Sequence, residues 1–248
     1  MSTHGMMSKD GNMEQLGEIM KRMAEKVTGE VPEELAENMQ YLKDQWLNSL
    51  RYQVRQSLGE NCLTWDPSLC RELGIVEGMG VATGGSILLC GPVGTGKTTS
   101  AVHILLTLAD RYASALQRGG SDLPDPDGYV VVLSAPYLFR KLSQLFGNAG
   151  EQADELMERC ERARILFVDD IGSEGGTEEA CAAFDEIMNQ RYGNKRNRTT
   201  IVTSNLMPDE WQGYRGGKLA RAADRWREDK RCVVLKGESM RSNDKLFA

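Results

Sequence analysis

Cysteine and histidine are both scarce in this 248-residue chain, and their spacing argues against one common kind of site. The six cysteines form no CxxC pair, and only two histidines are present. Structural zinc sites use four such ligands at short spacings, so a zinc centre is not expected. The cysteines are therefore expected to be free thiols. Cys90 and Cys232 lie in apolar runs and are predicted to act as small core residues.

Long apolar stretches are also missing. The first 30 residues are polar and rich in methionine, with neither the apolar length that crosses a bilayer nor the pattern of a secretory signal. We therefore expect a cytoplasmic protein. The length is sufficient for one large domain, alone or with an extension.

Negative charge is only in mild excess over the whole chain, but the charge distribution is uneven. The formal net charge is -6, whereas the segment from Arg191 to the end contains 14 basic and 7 acidic residues. The preceding residues are therefore strongly acidic. This asymmetry permits a basic surface on an acidic protein, although a solvated charged face is an equally ordinary explanation for any one of these residues.

The N-terminal region, residues 1–73, is predicted to be a helical arm. Within residues 1–30, helical spacing relates Met13, Leu16, Ile19, Met20 and Met23. Residues 32–58 predict a second helix, because Pro32 suits a first turn and apolar residues then recur along one face. That apolar stripe consists of Leu35, Met39, Leu42, Trp46, Leu47, Leu50 and Val54. Two interpretations remain open: the stripe packs on the protein's own core, or it docks a partner.

From about residue 74 onward, apolar β-branched runs alternate with helical stretches. The predicted strands are SILLC (86–90), YVVVLSA (129–135), RILFVDD (164–170), TTIVTSN (199–205) and CVVLKG (232–237). Nearly continuous apolar strands separated by helices indicate a parallel sheet covered on both faces. The predicted fold class is therefore α/β, with a helical N-terminal extension.

A phosphate-binding loop follows the first of these strands. The sequence GPVGTGKTT, residues 91–99, contains the full G-x-x-x-x-G-K-[ST] pattern between a strand and a helix. Glycines let backbone N–H groups turn towards phosphate oxygens, Lys97 supplies a positive charge, and the Thr98 hydroxyl is a ligand for Mg²⁺. The residues expected to bind the nucleotide are Gly91, Pro92, Val93, Gly94, Thr95, Gly96, Lys97, Thr98 and Thr99.

Two acids and an amide complete the predicted catalytic set. The strand ILFVDD ends in Asp169 and Asp170, at the sheet edge where ligands bind in open α/β folds. Asp169 is expected to hold Mg²⁺ through water, with Thr98 as the other ligand, and Asp170 to orient or deprotonate the attacking water. Asn205 ends the strand TTIVTSN and is a candidate polar sensor of the γ-phosphate. Together these residues predict hydrolysis of the bound nucleoside triphosphate to the diphosphate and phosphate.

These motifs, with ARAADRW and KGESMR after them, resemble the AAA+ ATPases of the DnaC/DnaI helicase-loader and IstB transposition-helper group. The resemblance covers about residues 84–245. It implies a P-loop NTPase of the AAA+ (ASCE) type, a three-layer sandwich with sheet order 5-1-4-3-2, over residues 74–248. It also implies homo-oligomeric rings or spirals with ATP between subunits, and slow turnover that DNA or a partner stimulates.

The resemblance assigns roles to two late arginines. Arg225 corresponds to an arginine finger offered to the neighbouring subunit's nucleotide, with Arg221 as the nearby substitute. Arg241 corresponds to a second sensor, although Met240 replaces the aromatic residue usual before it. A guanidinium is always charged and forks onto phosphate oxygens, which suits both roles. A solvated arginine on an amphipathic helix is the plain alternative for Arg225.

A helical pair following the second strand corresponds to the elements that this group uses against DNA. It comprises SAPYLFRKLSQLF (134–146) and EQADELMERCERA (151–163). Aromatic and basic residues occur together in its first helix, a combination that suits stacking on bases and contact with phosphates. We expect Tyr137 and Phe139 in the core, and Arg140 and Lys141 in solvent.

The resemblance leaves more than one function open. The favoured one is an ATP-dependent factor that binds a replicative helicase through residues 1–58 and loads it onto single-stranded DNA. The alternative is a helper that assembles on DNA and engages a transposase. A small-molecule P-loop kinase is less favoured, because the sequence shows no Arg-rich lid segment and no evident acceptor site.

Overall fold

A computed structural model describes residues 33–63, 85–144, 150–173, 177–207, 209–217, 219–228 and 232–236. The predicted helix in residues 1–30 and the candidate sensor Arg241 lie outside these ranges. Within the described part of the chain, no helix combines the length and the apolar character that crossing a bilayer requires.

Helix α1 spans Glu33–Leu58, close to the predicted limits, and a 3₁₀ turn at Glu60–Leu63 follows it. Gly59 joins the two with a φ of 88°, a left-handed conformation that a residue without a Cβ adopts at little cost. The apolar stripe packs mainly on the protein's own core: Trp46, Leu47, Leu50 and Val54 are buried. Leu42, on the first half of the helix, is 53% exposed.

The sheet contains five parallel strands. They are β1 (Gly85–Cys90), β2 (Val130–Ser134), β3 (Ile165–Ile171), β4 (Thr199–Ser204) and β5 (Cys232–Val234). Their order across the sheet is β2-β3-β4-β1-β5. This order, read from the other edge, is the predicted 5-1-4-3-2, so the predicted AAA+ fold class is confirmed.

Helices cover both faces of the sheet. They are α2 (Lys97–Arg118), α3 (Pro126–Tyr129), α4 (Ala135–Leu142), α5 (Gly150–Arg162), α6 (Glu178–Gly193) and α7 (Ala220–Glu228), with 3₁₀ turns at Glu210–Gln212 and Tyr214–Gly217. Alternate strand residues point to opposite faces and so enter two separate cores. Leu166 and Val168 pack with α4, α5, α6 and α7, whereas Ile165 and Phe167 pack with α1 and α2. These two cores give the three-layer arrangement.

One buried cation joins the layers on the α6 side. The Arg191 guanidinium donates hydrogen bonds to the carbonyl oxygens of Cys160 and Ala163 at the end of α5, both at 2.7 Å. It also reaches the Thr200 hydroxyl at 2.8 Å and the Thr199 carbonyl at 2.6 Å in β4. Burial lowers the pKa of Arg191 to about 9, so the side chain remains charged at neutral pH. Arg191 therefore satisfies carbonyls that would otherwise be buried without donors.

Candidate nucleotide site

The phosphate loop lies between β1 and α2, as its motif requires. Gly94 and Gly96 have φ values of 87° and 80°, which allow the chain to turn back on itself before the helix begins. Gly91 has a φ of 142°, and a Cβ there would overlap the carbonyl oxygen of Leu235. The Leu235 N–H donates to the Cys90 carbonyl at 2.8 Å. The end of β5 therefore packs directly on the start of the loop.

Lys97 is buried at the first position of α2, with 7% of its surface exposed. Its ammonium donates hydrogen bonds to the carbonyl oxygens of Gly91 at 2.9 Å and Pro92 at 2.7 Å. A third bond of 2.8 Å joins it to the Asn205 side-chain oxygen. These contacts hold the cation inside the loop, at the positive end of the helix, where phosphate groups bind in loops of this type.

The first predicted acid, Asp169, is buried at the carboxyl end of β3. The Thr203 hydroxyl donates to its carboxylate at 2.6 Å, and the Thr98 hydroxyl also forms a hydrogen bond with it. Burial raises the pKa of Asp169, while these two hydrogen bonds act in the opposite direction. A carboxylate and a hydroxyl in contact are oxygen ligands of the kind that Mg²⁺ takes beside a phosphate. The two side chains therefore fit the predicted metal-binding role.

Asp170, the second acid, has a φ of 65°, which is the left-handed region and unusual for a residue with a Cβ. Its N–H donates to the Thr203 hydroxyl at 2.7 Å, which holds the backbone in this conformation. Its carboxylate accepts a 2.6 Å hydrogen bond from the Asn205 amide nitrogen. Because strained backbone is often retained at functional sites, this position supports the importance of Asp170.

Asn205 links the three predicted elements of the site. Its oxygen accepts from Lys97 and its nitrogen donates to Asp170, so one amide connects the phosphate loop with the end of β3. The assignment of oxygen and nitrogen agrees with both partners, since a cation can only donate and a carboxylate can only accept. The structure thus brings together residues that lie more than 100 positions apart in the sequence.

A cavity of about 400 Å³ adjoins this hydrogen-bonded chain. The phosphate loop, the strand-end acids and Asn205 form much of its lining, as predicted. The remaining wall comes from Leu58 at the end of α1 and from Asn61 and Cys62 in the following 3₁₀ turn. Sequence reasoning missed these three residues, because no motif marks them. The packing of α1 brings them to the cavity, and only its buried stripe gave an indirect signal.

The two candidate fingers on α7 are placed differently from each other. Arg225 donates to the side-chain oxygen of Asn189, and its guanidinium lies 5.3 Å from the centre of the Tyr192 ring. Arg221 is far more exposed, at 80% of its side chain, with a 3.8 Å ion pair to Asp185. Neither arginine is among the residues that line the nucleotide cavity in the described structure. Their role toward a nucleotide stays a prediction.

The candidate DNA-contacting helix α4 confirms one aromatic expectation and corrects another. Phe139 is fully buried, as expected, and packs against Phe184 with ring centres 5.2 Å apart. Tyr137 was expected in the core but is 40% exposed. The reason is helical geometry, because a residue two positions from a buried one points to another side of the helix. The Arg140 guanidinium lies 5.4 Å from the Tyr137 ring centre.

The fold, the phosphate loop and the linked acids define a P-loop nucleotide-binding domain with the AAA+ strand order. Residues 80–248 match the family model described as IstB-like ATP binding protein. This match covers more than half of the chain, and the chain belongs to that family. A comparison with curated proteins finds no match.

Several solved structures resemble this chain at low identity. AMPPCP-bound DnaA from Aquifex aeolicus is 18% identical, with a TM-score of 0.48 over 71% of this chain and 48% of that chain. A DnaC helicase loader is 20% identical, with a TM-score of 0.48 over 69% of this chain and 92% of that chain. For DnaI the identity is 22% and the TM-score 0.46, covering 75% and 94% of the two chains. This chain thus spans less than half the length of the DnaA structure.

Proposed function

We propose that this protein is an AAA+ ATPase of the cytoplasm that binds a replicative helicase and loads it onto single-stranded DNA. ATP binding and hydrolysis are coupled to assembly of several copies into a ring or spiral. The observation that carries the ATPase part is the continuous hydrogen-bonded chain from Lys97 through Asn205 to Asp170, beside the Asp169–Thr98 pair. The helicase as partner is inferred from the resemblance of the motifs.

The geometry supports a distinct role for each of these residues in ATP hydrolysis. Lys97 exchanges its carbonyl and amide partners for phosphate oxygens, and the freed Asn205 oxygen is then available to the attacking water. Asp170, held by the Asn205 nitrogen, orients that water and accepts its proton. Asp169 and Thr98 would hold Mg²⁺, which would offset negative charge on the phosphates.

The two α7 arginines lie outside the cavity of their own subunit, which supports action on a neighbouring subunit. Under this proposal Arg225 leaves Asn189 and contacts the γ-phosphate bound to the next copy. A positive charge at that position stabilises the negative charge of the transition state, so turnover requires assembly. Arg241 contributes a further cation from the segment that follows β5.

The test is ATP turnover as a function of protein concentration, with single-stranded DNA present. Arg225→Ala is expected to keep nucleotide affinity but to lose roughly 10³-fold or more of assembly-dependent turnover. Lys97→Ala removes charge-assisted contacts to phosphate and is expected to weaken ATP binding by roughly 100-fold. Arg118→Ala, at the other end of α2 and exposed, is the matched loss of a cation and should leave both quantities unchanged.

Asn189→Ala distinguishes loss of the arginine finger from loss of the contact that Arg225 makes within its own subunit. That variant removes the partner of Arg225 within the subunit but keeps the guanidinium, so turnover should persist. Normal turnover by Arg225→Ala at high concentration would remove Arg225 from the finger role. A protein that stays monomeric with ATP, Mg²⁺, DNA and its partner would contradict the assembly mechanism.

A second candidate function is that of an ATP-dependent helper of a DNA transposase, favoured by the family match over residues 80–248. The two functions differ in the partner that binds in the presence of ATP and Mg²⁺. Sedimentation with purified replicative helicase, and separately with purified transposase, distinguishes them. A stable complex with the transposase and none with the helicase would overturn the loading function and leave the ATPase intact.

A further inference from the structure

Strand β2 lies at one edge of the sheet, and its outer side is open. Among the residues that the structure describes, its backbone pairs along one side only, with β3. On the other side, Val131, Val132 and Leu133 line a cavity of about 820 Å³. An edge strand presents a row of N–H and C=O groups that can pair with another extended chain. We call this cavity, between β2 and α1, the β2 trough.

The opposite wall of the β2 trough is the second half of α1. It is polar but carries no charge, and consists of Gln45, Asn48, Ser49, Tyr52, Gln53, Gln56 and Ser57. Amide side chains both donate and accept hydrogen bonds, so this wall suits a polypeptide backbone, which also does both. Gln53 already uses its amide nitrogen on the Asp127 carboxylate.

The dimensions of the β2 trough match a short extended segment. Helix residues 45–57 cover about 18 Å at 1.5 Å per residue. The five residues of β2 cover about 17 Å at 3.3 Å per residue. A second cavity of about 490 Å³ continues past the end of β2 and shares Gln56, Ser57 and Leu133 with the trough. An added strand of five or six residues would therefore fit along β2, with room for side chains at its end.

Charge distinguishes the two macromolecules that could occupy such a trough. Its lining contains two acids, Asp125 and Asp127, near the start of β2 and one cation, Arg159. A nucleic acid needs a track of cations to neutralise its phosphates, and this lining has net negative charge. An extended polypeptide has no such need. Beyond the other end of β2, the continuing cavity includes Arg140, so the two ends differ in sign.

From the free edge, the amide wall and the charges at the two ends, we infer that the β2 trough binds an extended segment of a partner protein as a sixth strand of the sheet. The segment is uncharged over its middle. A basic residue lies beside Asp125 and Asp127, and an acidic residue beside Arg140. A segment whose basic residue comes first in its sequence would run parallel to β2. The inference adds a docking surface to the proposed function and does not depend on the partner's being a helicase.

The probe is a fluorescein-labelled heptapeptide of sequence lysine-threonine-valine-threonine-valine-threonine-glutamate, titrated against the full chain by fluorescence anisotropy. Saturable binding is expected, together with slower hydrogen exchange at the backbone amides of β2. The same peptide with alternate N-methylated amides keeps its side chains but cannot pair along one edge. It should bind at least about tenfold more weakly.

A variant pair locates the binding. Ser49→Trp fills the trough from α1 and should weaken binding at least about tenfold, whereas Asn38→Trp, on the same helix but exposed and outside the lining, should not. Circular dichroism and ATP turnover of each variant, measured in parallel, show that the fold and the nucleotide site are intact. Loss of ATP turnover in a variant would concern the proposed function. Loss of peptide binding with turnover intact would concern the β2 trough alone.

Three results would overturn the inference. One is the absence of saturable binding by the peptide, or binding that neither N-methylation nor Ser49→Trp weakens. Another is protection of the β2 amides by oligo-deoxythymidine, which would assign the trough to nucleic acid. The last is protection that rises with protein concentration in the absence of peptide, which would assign it to a second copy of the chain.

Discussion

The carboxyl edge of the sheet and helix α1 both contribute to the nucleotide cavity, but they are built in different ways. At the sheet edge, Lys97, Asn205 and Asp170 lie near the ends of buried strands and are joined by short hydrogen bonds. The contribution of α1 depends instead on apolar packing. Leu58 and Cys62 reach the cavity because Leu50 and Val54, further back along the helix, are anchored in the core. The sheet-edge wall of the cavity depends on local sequence motifs, whereas the α1 wall depends on packing of residues further along the helix.

The strongest test of this comparison is a substitution of Leu50, which holds α1 in the core. Leu50 is fully buried, and Leu50→Ala should lower the free energy of unfolding by about 3 kcal/mol through lost burial and the cavity left behind. Leu42→Ala on the same helix should change it by less than about 0.5 kcal/mol, because Leu42 is 53% exposed. Urea unfolding of both variants gives the two values. Equal effects would show that α1 does not belong to the core.

At the sheet edge, the matching test is the first glycine of the phosphate loop. Gly91→Ala places a Cβ against the Leu235 carbonyl and strains a positive φ, so we expect a loss of about 2 kcal/mol and weaker ATP binding. Gly120 has a φ of 69° with no atom near its missing Cβ, and Gly120→Ala isolates the backbone strain alone. Calorimetry of both variants, with and without ATP, separates the two causes. Equal losses in the two variants would show that the contact with the Leu235 carbonyl has no effect of its own.

The smallest effect expected is a gain in stability. Burial raises the pKa of Asp169 in the folded state, so the folded protein binds this proton more tightly than the unfolded chain. As pH rises through the interval between the two pKa values, ionisation of Asp169 therefore lowers stability. Asp169→Asn should raise the Tm at neutral pH by about 2–4 °C, equivalent to about 1 kcal/mol in a chain of this size.

That gain should shrink as the pH falls through the raised pKa of the folded state, and should vanish below the unfolded value of about 4, where the wild-type carboxyl is protonated in both states. With Mg²⁺ and ATP added, the order should reverse, because an uncharged amide binds Mg²⁺ more weakly than a carboxylate does. Thermal denaturation at several pH values measures both effects. A gain that is independent of pH would mean that ionisation of Asp169 is not its cause.

Much of the sheet edge could be predicted from sequence, for a physical reason. The phosphate loop and the strand-end acids are local patterns, and parallel strands bring their carboxyl ends together whatever the loops between them. The two hydrogen bonds of Asn205, accepted from Lys97 and donated to Asp170, were not predictable, since their geometry depends on how β4 lies beside β1 and β3.

Other features had no local signal in the sequence. From the sequence, the apolar stripe on α1 could either pack on the core or dock a partner. The structure shows that Trp46 and Leu50 pack against α2 and the sheet. Arg191 looked like one more member of a basic C-terminal third, but it is buried among backbone carbonyls. Hydrophobic periodicity reports which face of a helix is apolar, and not what covers that face.

The position of α1 also determines how the nucleotide chemistry can be studied. A polypeptide shortened to begin at residue 80, where the family match starts, would leave the α1-facing side chains of α2 in water and the cavity without Leu58, Asn61 and Cys62. Weak ATP binding by such a fragment would report a missing wall rather than a defective phosphate loop. Biochemical work on this protein therefore requires a polypeptide that begins upstream of Glu33.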